Sequence, residues 1–293
     1  MSELESGPAN LPWSSCNAFV LFNAVNVPQL AKTLYQCRGD IDAHPVFLMT
    51  RFKDLVDKSP YLAAITDSHD PVYQLFLEQA GKEWGLLLFS QATTDALLQH
   101  LRWLLFVDEP GRKPTYLNIS DPLVANALFG LYPRHTDNRL FGPIDQLYAV
   151  DVIDQRWIRH VREGCAAPDH NAALYCLNPA QTQALGDADL RIKVVELEQH
   201  MHRFFPDYLP DASLAHRYQH LYRLARQACE MGFSTEIDLF HYANVSQFLD
   251  RQPPEAHADI RQLVLNVSSL THSQRIQQAN ALVVERARTG ALS

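Results

Sequence analysis

Two periods of hydrophobicity divide this chain. From Asn17 to about Asp151, short apolar runs alternate with segments whose apolar residues recur every three to four positions. Residues 18–25, 45–49, 61–65, 84–89 and 115–119 read as strands, and 28–37, 70–80, 94–107 and 122–131 as helices. Pro28, Pro71 and Pro122 stand where a first-turn proline forfeits no hydrogen bond. The stretch 165–187, with Pro168 and Pro179, loses periodicity and reads as a connection.

Beyond it the period is helical throughout. Taking Leu190 as origin, Val194, Leu197, Met201, Phe204 and Phe205 fall within about 60° of one another's mean direction, one buried stripe. A second stripe is Leu214, Tyr218, Leu221, Ala225, Ala228 and Cys229, with Gly232 placed as a left-handed C-terminal cap. Thr235 to Asp238 resembles a capping box with Asp in the usual Glu position, and two more helices follow near 255–267 and 272–288. The expected fold class is α/β, with α+β as the alternative. It places an N-terminal layered sheet domain with flanking helices at 1–165, a connecting segment at 166–186, and an all-α bundle at 187–293.

Composition narrows the function classes. The 293 residues are 47% hydrophobic and 20% charged, enough apolar surface to close a core. A net charge of -8 without a basic stripe opposes nucleic acid as a partner. Five cysteines, Cys16, Cys37, Cys165, Cys176 and Cys229, form no C-x-x-C pair and read as reduced thiols. The first twelve residues lack an apolar leader, and no run approaches the ~18 apolar residues of a membrane span. A cytoplasmic protein without membrane insertion is expected.

Familiar catalytic and phosphate motifs are absent, and neither cofactor nor metal is expected. His216 and His220 have i, i+4 spacing, but they face away from the buried stripe beside Arg223, a cation that disfavours a divalent ion. His200 and His202 diverge on their helix. Asp67-Ser68-His69-Asp70 packs two carboxylates and an imidazole together, yet a turn followed by an N-cap explains it. Arg102 and Asp121 each border a buried layer; Asp121 precedes Pro122 and reads first as a helix cap. Trp103 and Phe106 point away from the stripe of their helix, as a seam between domains or a protein-binding anchor would require. Arg102, Trp103, Phe106 and Asp121 are the protein-binding candidates.

One ordered series of motifs is familiar. Phe19-Val-Leu-Phe-Asn23-Ala24, Ser59-Pro60-Tyr61-Leu62, Trp84-Gly85-Leu-Leu-Leu-Phe-Ser90, His100-Leu101-Arg102, Asp121-Pro122 and Phe141-Gly142-Pro143-Ile144 resemble the adaptor/chaperone family of bacterial type VI secretion. The stretch from Ala228 to Asp238 is similar to the helical tail of that family. Two departures stand out: Asn23 replaces the Asp of the family's opening, and Asn118-Ile119-Ser120-Asp121-Pro122 keeps only Asp-Pro of an Arg-Phe-Tyr-Asp-Pro motif. The resemblance implies a non-enzymatic cytoplasmic protein that holds a cognate secreted effector and helps load it onto the spike protein of the secretion apparatus. Two alternatives stay open. One is an α/β hydrolase or transferase with Asp121 and either His100 or His135 as acid/base; the other is a toxin-neutralising immunity protein.

Overall fold

The computed structural model describes residues 4, 6–25, 27, 29–109, 111–131, 138–166, 173–253, 255–266 and 269–290. The chain divides into two compact units, Met1–Ala188 and Asp189–Ser293.

The first unit is built on a sheet of β1 (Asn17–Phe22), β2 (Ala43–Pro45), β3 (Tyr61–Ile65), β4 (Gly85–Ser90), β7 (Gln146–Asp151) and β8 (Arg156–Val161). Their order is β2-β3-β1-β4-β7-β8, and every pairing is antiparallel. This is the layered sheet domain expected from the pattern, on the α+β side of that reading. Side chains alternate between two faces with period two. Phe19, Leu21, Leu62, Leu86, Leu88 and Leu147 enter one core, shared with α3 (Thr94–Leu104) and α4 (Pro122–Phe129). Val20, Phe22, Ala63, Ile65, Leu87 and Phe89 enter the other, shared with α1 (Leu30–Cys37) and α2 (Pro71–Glu78). The sheet is therefore a middle layer, which is why its strands are near-continuous apolar runs.

Local signals set the helix starts. Asp70 caps α2 by accepting from the Val72 N–H, and Asp121 caps α4 by accepting from the Leu123 and Val124 N–H groups; Pro71 and Pro122 sit in the first turns. Pro28 lies outside the described residues. Helix α3 stops at Leu104, and Phe106 opens a short strand instead of extending it. There β5 (Phe106–Asp108) pairs with β6 (Thr115–Tyr116) and β9 (Tyr175–Cys176) in a second, three-stranded sheet. Phe106 is thus not on the helix that carries Trp103, because ladder pairing of a β-favouring Phe-Val pair outweighs the helical period there. The sequence reading named neither β7 nor β8. Residues 46–49 form a turn, and β9 and the start of α6 (Pro179–Phe204) lie within the stretch read as a connection. Pro179 opens α6 because Asn178 and Gln181 cap it reciprocally: each backbone N–H donates to the other's side-chain oxygen at 2.9 Å.

In the second unit, the later turns of α6 are followed by α7 (Leu214–Glu230), α8 (Glu236–Asp250), α9 (Ala258–Leu265) and α10 (His272–Gly290). Val194, Leu197, Met201, Leu221, Ala225 and Ala228 are buried as their stripes require. Two stripe residues stay exposed: Leu214, 38%, at the first position of α7, and Phe204, 58%, which ends its helix and packs its ring on His200 instead of entering the core. Thr235 and Asp238 complete the capping box of α8 in both directions.

His160 on β8 gives the first unit a pH dependence. It is buried, and its Nε2 donates to Asn126 Oδ1 at 2.8 Å, since the Asn126 amide N–H is spent on the Val150 carbonyl. Burial pushes the imidazole down to about 4, against the opposing pull of the Phe129 carbonyl. A histidine depressed on folding stabilises the fold above its unfolded pKa, and that contribution is lost as pH falls from about 6.5 toward 4. The loss amounts to about 3 kcal/mol at the acid end. Urea denaturation across this window should show falling stability in the wild type and a shallower fall in His160→Gln.

Candidate functional site

The residues of the motif series hold one another. In the Trp84-Gly85 pair, Gly85 has φ +150, and a Cβ there would sit on the Leu21 carbonyl oxygen of β1, so only glycine lets β4 lie this close. The Trp84 carbonyl accepts from the Asn23 N–H at 2.7 Å. Asn23 is buried; its Oδ1 accepts from the Val25 N–H, and its Nδ2 lacks a partner. Ser90, at the other end of β4, donates its hydroxyl to the Pro143 carbonyl at 2.6 Å. The neighbouring Gly142 has φ +51, and a Cβ on it would meet the His100 ring. His100 itself is buried on α3 with Nε2 against the Leu140 carbonyl at 2.9 Å. His100 and Phe141-Gly142-Pro143 therefore interlock.

These partners place the acid/base candidates. Asp121 spends an oxygen on the Leu123 and Val124 N–H groups, at 2.8 and 3.4 Å; desolvation raises its pKa and these two bonds oppose the rise. It makes no ion pair with Arg102. His135 lies outside the described residues. In the Asp67–Asp70 cluster, Asp67 accepts from the His69 N–H and Asp70 pairs with Arg38 at 2.5 Å, a turn and a helix cap as the sequence reading favoured. His220 meets the Tyr208 hydroxyl at 2.5 Å, and His200 Nε2 donates to Asn244 Oδ1 at 2.8 Å. Among the described residues, no group of three or more His, Cys, Asp or Glu is placed to hold a metal ion.

Arg102 has a different use. Its Nε donates to the Val46 carbonyl at 3.2 Å, at the root of the loop between β2 and β3. The Val46 N–H donates to the Pro60 carbonyl at 2.9 Å, and the Phe47 N–H donates to the buried Ser59 hydroxyl at 2.9 Å. Thr50 Oγ1 donates to the Phe47 carbonyl and accepts from the Phe52 N–H, bracing the loop from within. Behind the loop, Phe47, Phe52, Phe106 and Tyr116 form a ring cluster with centroids 5.1–6.2 Å apart, and the Arg51 guanidinium lies 3.5 Å from the Phe106 ring centre.

The loop turns apolar side chains outward. Met49 is 84% exposed, Leu55 52% and Leu48 46%, and Tyr116 of β6, whose ring meets Phe47 and Phe52, is 39% exposed. Met49 also has φ +64, a conformation that costs a residue with a Cβ about 1 kcal/mol. Of the four binding candidates, Phe106 belongs to the ring cluster and Arg102 ties the loop root. Trp103 is half-buried, donating its ring N–H to the Ala173 carbonyl at 2.7 Å with Tyr175 edge-on, and Asp121 is a cap. The exposed Leu48 and Met49 were missed because 45–49 reads as a strand, and Leu55 falls in a stretch, 50–60, that the sequence pattern assigned to no element. The unbroken Phe-Leu-Met run, ended by Thr-Arg instead of alternating, was the available signal.

Residues 18–137, within the first unit, match a family model described as Domain of unknown function (DUF4123). Over 280 residues the chain is also similar to accessory protein VasW of Vibrio cholerae serotype O1, with 27% identity across 92% of this chain and 89% of that protein. No solved structure matches it. No helix among the described residues is long and apolar enough to cross a membrane.

The interlock of His100 and Gly142 has a measurable signature. Gly142→Ala adds a strained backbone and a clash, and should destabilise the first unit by at least about 2 kcal/mol in urea denaturation. Adding His100→Ala should recover part of that loss, a coupling of about 1 kcal/mol that independent sites would not show.

Proposed function

We propose that this protein is an accessory adaptor of bacterial type VI secretion that holds a cognate effector polypeptide and helps seat it on the spike. Its motif residues match that family in order, and its similarity to an accessory protein extends along 92% of the chain. The observation that carries the reading is the braced loop that projects Leu48, Met49 and Leu55 over an aromatic cluster. Large apolar side chains held rigidly in water gain when a partner covers them, and bracing lowers the ordering cost of binding. Methionine adapts to the shape it meets. Arg102 fixes the loop, Phe106 supports it, Trp103 packs edge-on against Tyr175, and Asp121 caps α4. The same scaffold uses its motif carboxylate and imidazole on backbone groups, which favours binding over acid/base chemistry.

Co-expression with the products of neighbouring reading frames should yield a stable complex that co-purifies. The pair Met49→Glu and Leu55→Glu should weaken that complex at least tenfold without lowering the melting temperature, because both positions are exposed. Absence of any complex, or one indifferent to this pair, would sink the reading.

A further inference from the structure

The six-stranded sheet ends in two unlike edges. On one side β2 is three residues long and closes on Pro45, which blunts it as a template for further pairing. On the other, β8 runs six residues without glycine, proline or bulge, and among the described strands it pairs with β7 alone. The Arg162 N–H donates to the Asp145 carbonyl at 3.0 Å, in register with that ladder, so Arg156, Ile158, His160 and Arg162 turn their backbone groups toward β7. Trp157, Arg159 and Val161 turn theirs away. No described residue hydrogen-bonds to these outward N–H and C=O groups, and the exposed Arg159 and Val161 side chains show that the edge meets water. The strand is fixed in place, with the Trp157 ring N–H on the Leu4 carbonyl at 3.1 Å and His160 on Asn126.

This edge is basic on a chain whose net charge is -8. Arg156 is answered by Asp154 at 3.1 Å and Arg162 by Asp145. Asp151, opposite Arg156, accepts from the Ile153 and Asp154 N–H groups, and Glu163 lies beyond the end of the strand. Arg159 has only an amide: its Nε donates to the Gln146 side-chain oxygen at 3.2 Å, and among the described residues no carboxylate pairs with it. A second copy of the chain fits such an edge badly. The antiparallel pairing that engages all three outward residues of both copies sets Arg159 opposite Arg159 and Arg156 opposite Arg162, and like charges facing across a ladder are destabilising. An acidic strand removes that repulsion and gives Arg159 a partner.

We infer that β8 takes up an extended acidic segment of a partner polypeptide as a further strand of this sheet, its backbone bonded to Trp157, Arg159 and Val161 and a carboxylate beside Arg159. The inference rests on the adaptor reading for the kind of partner, and it adds a site remote in sequence from the Met49 loop. Its test uses the full chain and a displayed library of random 10-residue peptides. Enriched peptides should be acidic and rich in β-branched residues. With such a peptide bound, hydrogen exchange should slow at least tenfold at the Trp157, Arg159 and Val161 amides, while those of Ile158 and His160, already bonded to β7, stay unchanged. Methylating alternate peptide nitrogens probes the ladder directly: one alternating set should abolish binding and the other should leave it within about twofold. Arg159→Glu, at an exposed position, should bind a lysine version of the peptide better than the acidic one, reversing the wild-type order.

Enrichment of no such peptides, unchanged exchange at the three amides, tolerance of methylation in both sets, or an unreversed order for Arg159→Glu overturns strand addition at β8. A peptide-free dimer that protects the same amides overturns it as well. If a neighbouring reading-frame product co-purifies while no enriched peptide protects β8, the adaptor reading stands and the strand site fails. If peptides behave as described while no such product co-purifies, the strand site stands and the adaptor reading fails.

Discussion

Burial of the central sheet on both faces is the constraint from which the first unit follows. β4 is buried from Gly85 to Ser90, and β1 from Ala18 onward, so neither strand has a face that water could accept. A slip of one residue would exchange Phe19 and Leu21 for Val20 and Phe22 between two differently shaped cores. Register being fixed in the middle, what remains to be specified is how the chain leaves each strand. That is where the motif residues sit: Asn23 and Trp84-Gly85 at one end of the β1–β4 pair, and Ser90 with Pro143 at the other. Their value is in fixing exits, and a fixed exit fixes the loop that follows.

The loop between β2 and β3 shows the result. Its root is clamped by Arg102 from α3 and by the buried Ser59 hydroxyl, so both motif positions act on a segment that neither motif contains. Its interior is closed by Thr50, and its floor is a ring cluster drawn from three separate stretches of chain. The surface is thereby set by the fold of the first unit itself.

Much of the architecture was legible because period dominates where burial is one- or two-sided. The central strands and the helices starting at Pro71, Thr94 and Pro122 were visible in that way, as was the Thr235–Asp238 capping box. Legibility failed where long-range pairing outweighed local pattern. Phe106 continues the apolar run of α3 but is captured by Tyr116 and the strand at Tyr175. Pro179 looked like a breaker because its reciprocal cap from Asn178 and Gln181 is a side-chain event, invisible to hydropathy. The exposed loop residues were hidden for a related reason: an apolar run reads as interior, and nothing local announces that Pro45 ends the ladder and the chain turns outward.

Met49 carries a consequence of its own. At φ +64 the backbone would be easier with glycine, which would relax the turn and remove the apolar tip at once. Keeping a thioether there is a trade of folding free energy for reach. A chain selected for heat tolerance alone would be expected to give up this side chain early.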